Sequence, residues 1–554
     1  MNKTDFDYII IGSGFGGSVS AMRLSQKGYR VAVIESGKRW YPSDFPASNM
    51  RFFDYLWFPE LFLHGFQKIT LLNDVLALSG TGVGGGSLVY AGNLYIPDDD
   101  FFENEHIKIM GGKKELLPYY KLAQKMLGVK TNPRLGMGDK LLRKTAAEFG
   151  TEHTFQSSSA GIFFGEENKT VMDPYFNGEG PKRTGCNFCG GCMVGCRYNA
   201  KNSLDKNYLY FAEKLGATVI PETTVTHIIP VNEDGSKGYT VKTSTSTALF
   251  GSPRREYSSK GIIFAAGTLG TLKLLLMMKR QKFLDRLSPA LGIKVLTNGE
   301  SILGVQSKRK SKINFANGIA ISSKVHPEPD TTVEAVNYSA GSNLLGLLAN
   351  VFTEGGGIIP RPVKFIINSL LHPVVFINSI FLFGFAERTL LLLVMQKKEI
   401  SLRIELRRRF LFPLRFKLIS KRSISKNKPA HIYVAQEFAK RLARRIDGTP
   451  KSAVTESLFN SPVSAHILGG CSIADNRREG VIDYKNRVYG YKNMYVCDGS
   501  ALPNNPGVNP SLSITAFAER AMSFIPANSG KTPFIFKFEK KWESAKWIKG
   551  KKFK

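Results

Sequence analysis

Apolar residues 8–11 run directly into Gly12-Ser13-Gly14-Phe15-Gly16-Gly17, and a helical pattern carried by Val19, Met22 and Leu24 follows. A second apolar strand, residues 30–34, then ends at Glu35. Strand, glycines, helix, strand and acid in this register constrain the fold more than any other part of the chain. Gly12 permits the tight turn from strand to helix. Gly14 lets the backbone approach a pyrophosphate, and Gly17 lets the helix lie close on the sheet. The helix N-terminus offers free N–H groups to phosphates, and Glu35 can accept a hydrogen bond from a ribose. The stretch predicts a Rossmann-type α/β unit that binds a dinucleotide.

A second glycine run, Gly80-Thr81-Gly82-Val83-Gly84-Gly85, fits the same pattern without its flanks. No strand is expected before it, and residues 87–92 read as extended rather than helical. Such glycine density suggests backbone pressed against something flat or bulky. A flexible surface loop is the alternative, and the apolar flanks weigh against it.

The 554 residues suffice for two interleaved domains. A strand begins within the first ten positions with no apolar leader ahead of it, so a cytoplasmic location is expected. The formal charge of +31 concentrates in residues 397–445, with Arg407-Arg408-Arg409 and Lys421-Arg422, and in residues 537–554. That field favours anionic partners. No nucleic-acid module accompanies it, so nucleic acid is not expected. An anionic membrane surface is expected instead, because an apolar segment, 362–396, directly precedes the basic region.

Within that segment, residues 365–385 carry no charge and are long enough to span a bilayer. Yet Asn368, His372 and Ser379 fall within about 40° of one another on a helical wheel. A polar seam of this kind suits an interfacial helix and peripheral membrane association. A plain buried helix is the alternative.

Four of the six cysteines have the spacing Cys186-x2-Cys189-x2-Cys192-x3-Cys196. Bacterial ferredoxins hold iron–sulfur clusters with this spacing. Arg197 replaces the proline usual after the last cysteine. In two-cluster ferredoxins the fourth cysteine serves a different cluster, and no second quartet exists here. An iron–sulfur cluster, structural zinc and reduced structural thiols therefore all stay open. Cys471 and Cys497 read as buried thiols.

Three C-terminal stretches complete the set: Ser464-Ala465-His466-Ile467-Leu468-Gly469-Gly470, residues 493–501, and Gly507-Val508-Asn509-Pro510-Ser511. Together with residues 7–35, 80–93 and 261–271, they make the chain resemble the glucose–methanol–choline oxidoreductase superfamily. Within it, the resemblance is to the cholesterol oxidases, particularly the actinobacterial intracellular type, and it runs from about residue 5 to about residue 525. It implies FAD, held non-covalently by Gly12, Gly14, Gly17, Glu35, Gly86, Tyr90, Val225, Asp498, Gly499, Asn509 and Ser511. Tyr90 departs from the asparagine that some relatives place there. The resemblance implies His466 as the catalytic histidine and Asn509 as the oxygen-positioning asparagine. Glu334 matches a glutamate inside the substrate cavity of some steroid-active members. The implied substrate is a sterol or another hydrophobic alcohol, with oxygen or a redox partner as electron acceptor. The expected organisation is a discontinuous FAD-binding domain (1–44, 201–295, 480–526) interleaved with an α+β substrate-binding domain (45–200, 296–479), and a basic tail, 527–554.

These roles agree with the residues' chemistry. Oxidising an alcohol removes a hydride from carbon and a proton from oxygen; a flavin accepts the first and the protein must manage the second. An imidazole titrates near neutrality and can take that proton. An amide dipole can orient the oxygen as charge develops on it. Residues 331–338 read as a strand, so Thr332, Glu334, Val336 and Tyr338 share a face. A carboxylate among apolar neighbours would have a raised pKa and could shift a β,γ double bond into conjugation with a new ketone. A solvent-facing glutamate is the alternative. Two further readings remain: turnover of a long-chain or terpenoid alcohol, and an electron-relay flavoprotein using the cysteines.

Overall fold

The computed structural model describes residues 4–248, 253–380, 382–398, 401–408, 416–422 and 432–542. The strand Phe6–Ile11 is paired in parallel on both sides, Tyr8 lying opposite Val31 of Val31–Ile34 and opposite Gly261 of Arg254–Phe264. Thr218–Ile220 extends this sheet on one side, and Met494–Val496 joins the C-terminal half of Arg254–Phe264 on the other. The N-terminal half of that long strand turns instead into an antiparallel meander with Tyr239–Thr245 and Thr223–Pro230. Residues 31–34 are wholly buried, as expected for strands covered on both faces.

The helix Phe15–Gln26 is buried along its whole length. Helix Ser511–Ser523 packs against it, and Gly112–Met126 packs beyond that. Its approach to the sheet is close enough to forbid side chains. A Cβ on Gly17 would stand 2.0 Å from the Gly12 carbonyl oxygen, and one on Gly16 would stand 1.3 Å from that of Cys497.

The tail also docks on this unit. Phe536 and Phe538 are buried against Phe211, and Glu539 accepts hydrogen bonds from Arg23 and Gln26. The basic tail is therefore packed as far as Trp542, and the rest of it, 543–554, lies outside the described residues.

A second seven-stranded sheet is antiparallel throughout, in the order Ala349–Val351, Thr449–Ala453, Ser301–Gln306, Thr389–Gln396, Thr331–Val336, Ile321–Glu328, Gln156–Ser157. Helices Met137–Ala147 and Tyr433–Arg445 cover one face through Leu142, Val333, Leu392 and Phe438. The opposite face carries Thr332, Glu334 and Val336, directly across from Met395, Leu393 and Leu391.

One expectation needs correction, and one alternative falls. A strand, Leu76–Gly80, does precede the second glycine run, and a helical turn, Gly85–Leu88, replaces the extended segment expected after it. Pairing of Leu76–Gly80 with Gln67–Leu71 on one side and Val463–Ser464 on the other makes it a strand. The second of these partners lies nearly 400 residues away, so local sequence could not announce it.

The plain buried helix over 365–385 is also overturned. Pro373 divides the stretch into Arg361–Leu371 and Pro373–Ile380. Two of the three seam residues face inward, Asn368 donating to the Phe352 carbonyl and Ser379 accepting from Lys451, while His372 is exposed. The apolar face is turned outward: Ile366, Leu370, Leu371, Val374 and Phe383 are exposed. Among the described residues no helix is long and apolar enough to cross a membrane.

Because the Gly16 contact is to backbone, which cannot swing aside, Gly16→Ala is expected to lower the unfolding free energy by about 3 kcal/mol, at the upper end for overpacking. Denaturant unfolding of the two proteins checks it. An unchanged midpoint would mean the helix can lift off the strand end without cost.

Candidate active site

The two glycine runs form one structure. Ser13 donates through its N–H and hydroxyl to Glu35 Oε2 (3.0 and 2.8 Å), while Gly37 and Gly82 donate N–H groups to Oε1 (3.1 and 3.2 Å). Gly84 N–H in turn reaches the Ser13 hydroxyl at 3.0 Å. Glu35 thus fastens the second run onto the first, in addition to any hydrogen bond it offers a ribose. Val225 is buried on the strand that starts beside it, where Thr223 N–H reaches the Glu35 carbonyl at 2.9 Å.

Two glycines in this cradle serve no internal packing need. The nearest atom to a Cβ on Gly14 would be 3.9 Å away, and to one on Gly86 3.7 Å. A Cβ at either would meet only ordinary contacts, and bare backbone at a helix N-terminus fits the pyrophosphate of FAD. Tyr90 follows at once, but its hydroxyl donates to the Asn202 carbonyl at 2.8 Å. What it offers a flavin is its ring, packed edge-on against Phe15.

Motifs far apart in sequence meet at the same end of the sheet as the glycine cradle, where the strands Phe6–Ile11, Arg254–Phe264 and Met494–Val496 all end. Asp498 caps the turn Gly499–Ala501 through Ser500 N–H at 2.9 Å and accepts the Thr271 hydroxyl at 2.5 Å. Burial raises its pKa against those hydrogen bonds. Ser511 opens the helix Ser511–Ser523, whose N-terminus follows directly on Asn509.

His466 sits between the short strands Val463–Ser464 and Leu468–Gly469, which are anchored in two different sheets. Its Nδ1 is hydrogen-bonded to Glu300 Oε1, and the other Glu300 oxygen accepts Ala465 N–H at 2.8 Å. Burial works against charge on the imidazole, but the Glu300 carboxylate outweighs it and raises the His466 pKa. With Nδ1–H held by Glu300, the neutral ring presents Nε2 as an acceptor.

Glu334 and Thr332 point from one strand face to the loop that carries Asn509. Thr332 donates to the Gly507 carbonyl at 2.9 Å, and Asn509 Nδ2 donates to Glu334 Oε2 at 3.2 Å. Glu334 is completely buried, so the solvent-facing alternative falls. Burial pushes its carboxyl up to about 7, against the pull of Asn509, Lys324 and His466. Glu334 Oε1 and Asn509 Oδ1 are both buried without a hydrogen-bond partner. Such atoms are costly unless something else meets them.

Sequence reasoning missed two residues here. Glu300 orients His466, and Asn298 ties the loops together, accepting Gly507 N–H at 3.2 Å and donating to the Val508 carbonyl at 3.1 Å. Asn298-Gly299 is a turn signal in the sequence, but nothing beside Glu300 points to a histidine 166 positions later.

The four clustered cysteines lie apart from these groups and line one cavity with Ile162, Lys201 and Gly318. Among the described residues, no three His, Cys, Asp or Glu side chains are placed to hold a metal ion.

Comparison with known proteins agrees with this geometry. The GMC oxidoreductase family profile matches residues 181–278 and 422–518, and a NAD(P)-binding Rossmann-like profile matches 10–40. The chain is 44% identical to a cholesterol oxidase of Acinetobacter baumannii, over 95% of each protein. It is 42% identical to a cholesterol oxidase of Mycobacterium tuberculosis, over 96% of this chain and 92% of that one. A long-chain-alcohol oxidase of Arabidopsis thaliana is 23% identical over 93% of this chain and 66% of its own length. Among solved structures, an FAD-dependent oxidoreductase from Chaetomium thermophilum (TM-score 0.58, 16% identity, 94% and 98% covered) shares the fold. So does the formate oxidase of Aspergillus oryzae (0.59, 14%, 93% and 97%). With its glycine cradle, its buried His466–Glu300 pair and relatives of this identity over nearly its whole length, the chain belongs to the GMC oxidoreductase family, an FAD-dependent oxidoreductase acting on CH–OH donors.

Proposed function

We propose that this enzyme oxidises the 3β-hydroxyl of a sterol to the ketone, with oxygen as the electron acceptor, and then moves the adjacent double bond into conjugation. The observation that carries the reading is the meeting of three groups at one apolar sheet face: an imidazole with Nε2 available, a carboxamide, and a buried carboxyl that titrates near neutrality. Two bacterial relatives named cholesterol oxidase support the substrate class. Bound FAD supplies the hydride acceptor.

His466 Nε2 takes the hydroxyl proton as the carbinol hydrogen leaves. Asn509 has a second N–H beyond the one given to Glu334, and it steadies the oxygen while charge gathers there. Glu334 Oε1 then removes a proton from the carbon between ketone and alkene and returns it at the far alkene carbon. Leu391, Leu393 and Met395 on the same sheet face give the steroid rings apolar contact. A long-chain or terpenoid alcohol would use the same groups, and turnover of fatty alcohols without sterol activity would select that reading.

The outward-facing apolar helices deliver a substrate that resides in membranes. Ile366, Leu370 and Val374 enter a lipid surface, and the chain's +31 charge adds attraction when that surface is anionic. Association is peripheral.

Flavin bleaching by cholesterol under anaerobic conditions tests the substrate. His466→Ala and Asn509→Ala should keep FAD and lose at least about 100-fold in reduction rate, as general-base and oxyanion contributions imply. Wild-type rates in both would remove these roles, and an unbleached flavin across several sterols would remove the substrate.

The pH profile carries a second expectation. Oxidation needs neutral His466, so the rate falls as pH drops through its raised pKa. Glu300→Gln removes the raising charge and leaves burial, which moves this acid limb to lower pH. Isomerisation needs the Glu334 carboxylate and rises with pH through about 7. Glu334→Gln should release the unconjugated ketone, read from the absence of enone absorbance.

A third expectation concerns membranes: Ile366→Asp with Leu370→Asp should lose flotation with anionic vesicles while activity on detergent-solubilised sterol persists. Unchanged flotation would exclude this face as the contact.

A further inference from the structure

We infer that Cys186, Cys189, Cys192 and Cys196 hold one four-iron iron–sulfur cluster beside the flavin-contact segment. The objection from spacing was that the fourth cysteine would serve another cluster. Here the helical turn Gly191–Val194 ends at Gly195, whose φ of 77° swings the chain back, and Cys196 faces the same cavity as the other three.

Two of the four sulfurs accept main-chain hydrogen bonds. Phe188 N–H meets Cys186 Sγ at 3.4 Å, and Ala200 and Lys201 N–H both meet Cys196 Sγ at 3.3 Å. A buried structural thiol asks for no such donors. Thiolates bound to iron do, and hydrogen bonds to their sulfurs help set a cluster's potential.

Charge points the same way. Lys201 is buried, and its ammonium donates to the carbonyls of Leu88, Tyr90 and Cys192 at 2.8, 3.2 and 2.6 Å. Arg183 is buried on Asn199, Asn202 and the Ala200 carbonyl. The nearby carboxylate, Asp205, is paired with Lys206. Two buried cations held mainly by neutral groups call for an anion. Four thiolates round an oxidised four-iron cluster carry a net charge of about −2.

The four cysteines line one cavity, and zinc in place of iron is an outcome of the test. Lys201 reaches from the Cys192 carbonyl to those of Leu88 and Tyr90, so one side chain separates the cluster from the segment that carries Gly86. The inference stands independently of the sterol reading, since metal content and substrate reduction are measured separately.

The test uses the full-length, FAD-loaded protein, purified without oxygen and also after incubation with ferrous iron and sulfide. Iron, acid-labile sulfide, zinc and flavin are assayed, and the dithionite-reduced protein is examined by low-temperature EPR. About four iron and four sulfide per chain are expected, with a paramagnetic signal on reduction. Cys189→Ser and Cys192→Ser should each lose most of the iron and keep the flavin. Should neither variant fold, native wild-type protein still decides by differential alkylation. Its four clustered thiols should resist modification until the iron is stripped by chelator and oxidant. No iron under both conditions, one zinc per chain, iron retained by both folded variants, or thiols alkylated at once would each overturn the inference.

Discussion

The contact of the first helix with the sheet beneath it organises everything that follows. At Gly12, Gly16 and Gly17, backbone touches backbone where a methyl group would not fit. That closeness brings the helix N-terminus level with the strand ends, which is where a pyrophosphate can be met by N–H groups. It also presses the helix onto Cys497, fixing Asp498 and Gly499 relative to the phosphate site. Helix Ser511–Ser523 then packs on the outer side of the same helix, so the position of Asn509 follows from that packing. Cofactor cradle and reacting groups are thus placed by one stack of layers and not by independent loops.

The sequence made part of this legible and left part of it out of reach. Gly12 to Glu35 could be read because each residue answers a local demand of one strand-turn-helix-strand unit. His466, Asn509 and Glu334 were reached through resemblance, and strand periodicity put Glu334 on the same face as Thr332, as the contacts to Gly507 and Asn509 bear out. Glu300 was not reachable: its meaning lies in a hydrogen bond across 166 residues, and its own neighbours give only a turn. Leu76–Gly80 failed for a similar reason, since its strand character comes from distant partners. The 365–385 stretch shows another limit. Hydropathy found the segment and the wheel found the seam, but only packing against Phe352 and Lys451 decided which side faces outward.

Two carboxyl groups lie side by side in this core, and their surroundings split their chemistry. Glu300 is met on both oxygens, by Ala465 N–H and by the imidazole, so its charge is compensated where it stands. Glu334 has one oxygen met by Asn509 and the other unmet, and burial keeps its proton near neutrality. The fully paired acid can orient a base without exchanging protons with a substrate. The half-paired acid has one oxygen free to exchange them. Removing Asn509 would therefore act twice, loosening the oxygen of a bound alcohol and raising Glu334 further by taking away an N–H that favours its charged form. Reversing the assignment would require Glu334 to find a second donor; Leu391, Leu393 and Met395 on one neighbouring strand offer none, and Lys324, opposite it on the other, lies over the Tyr95 ring.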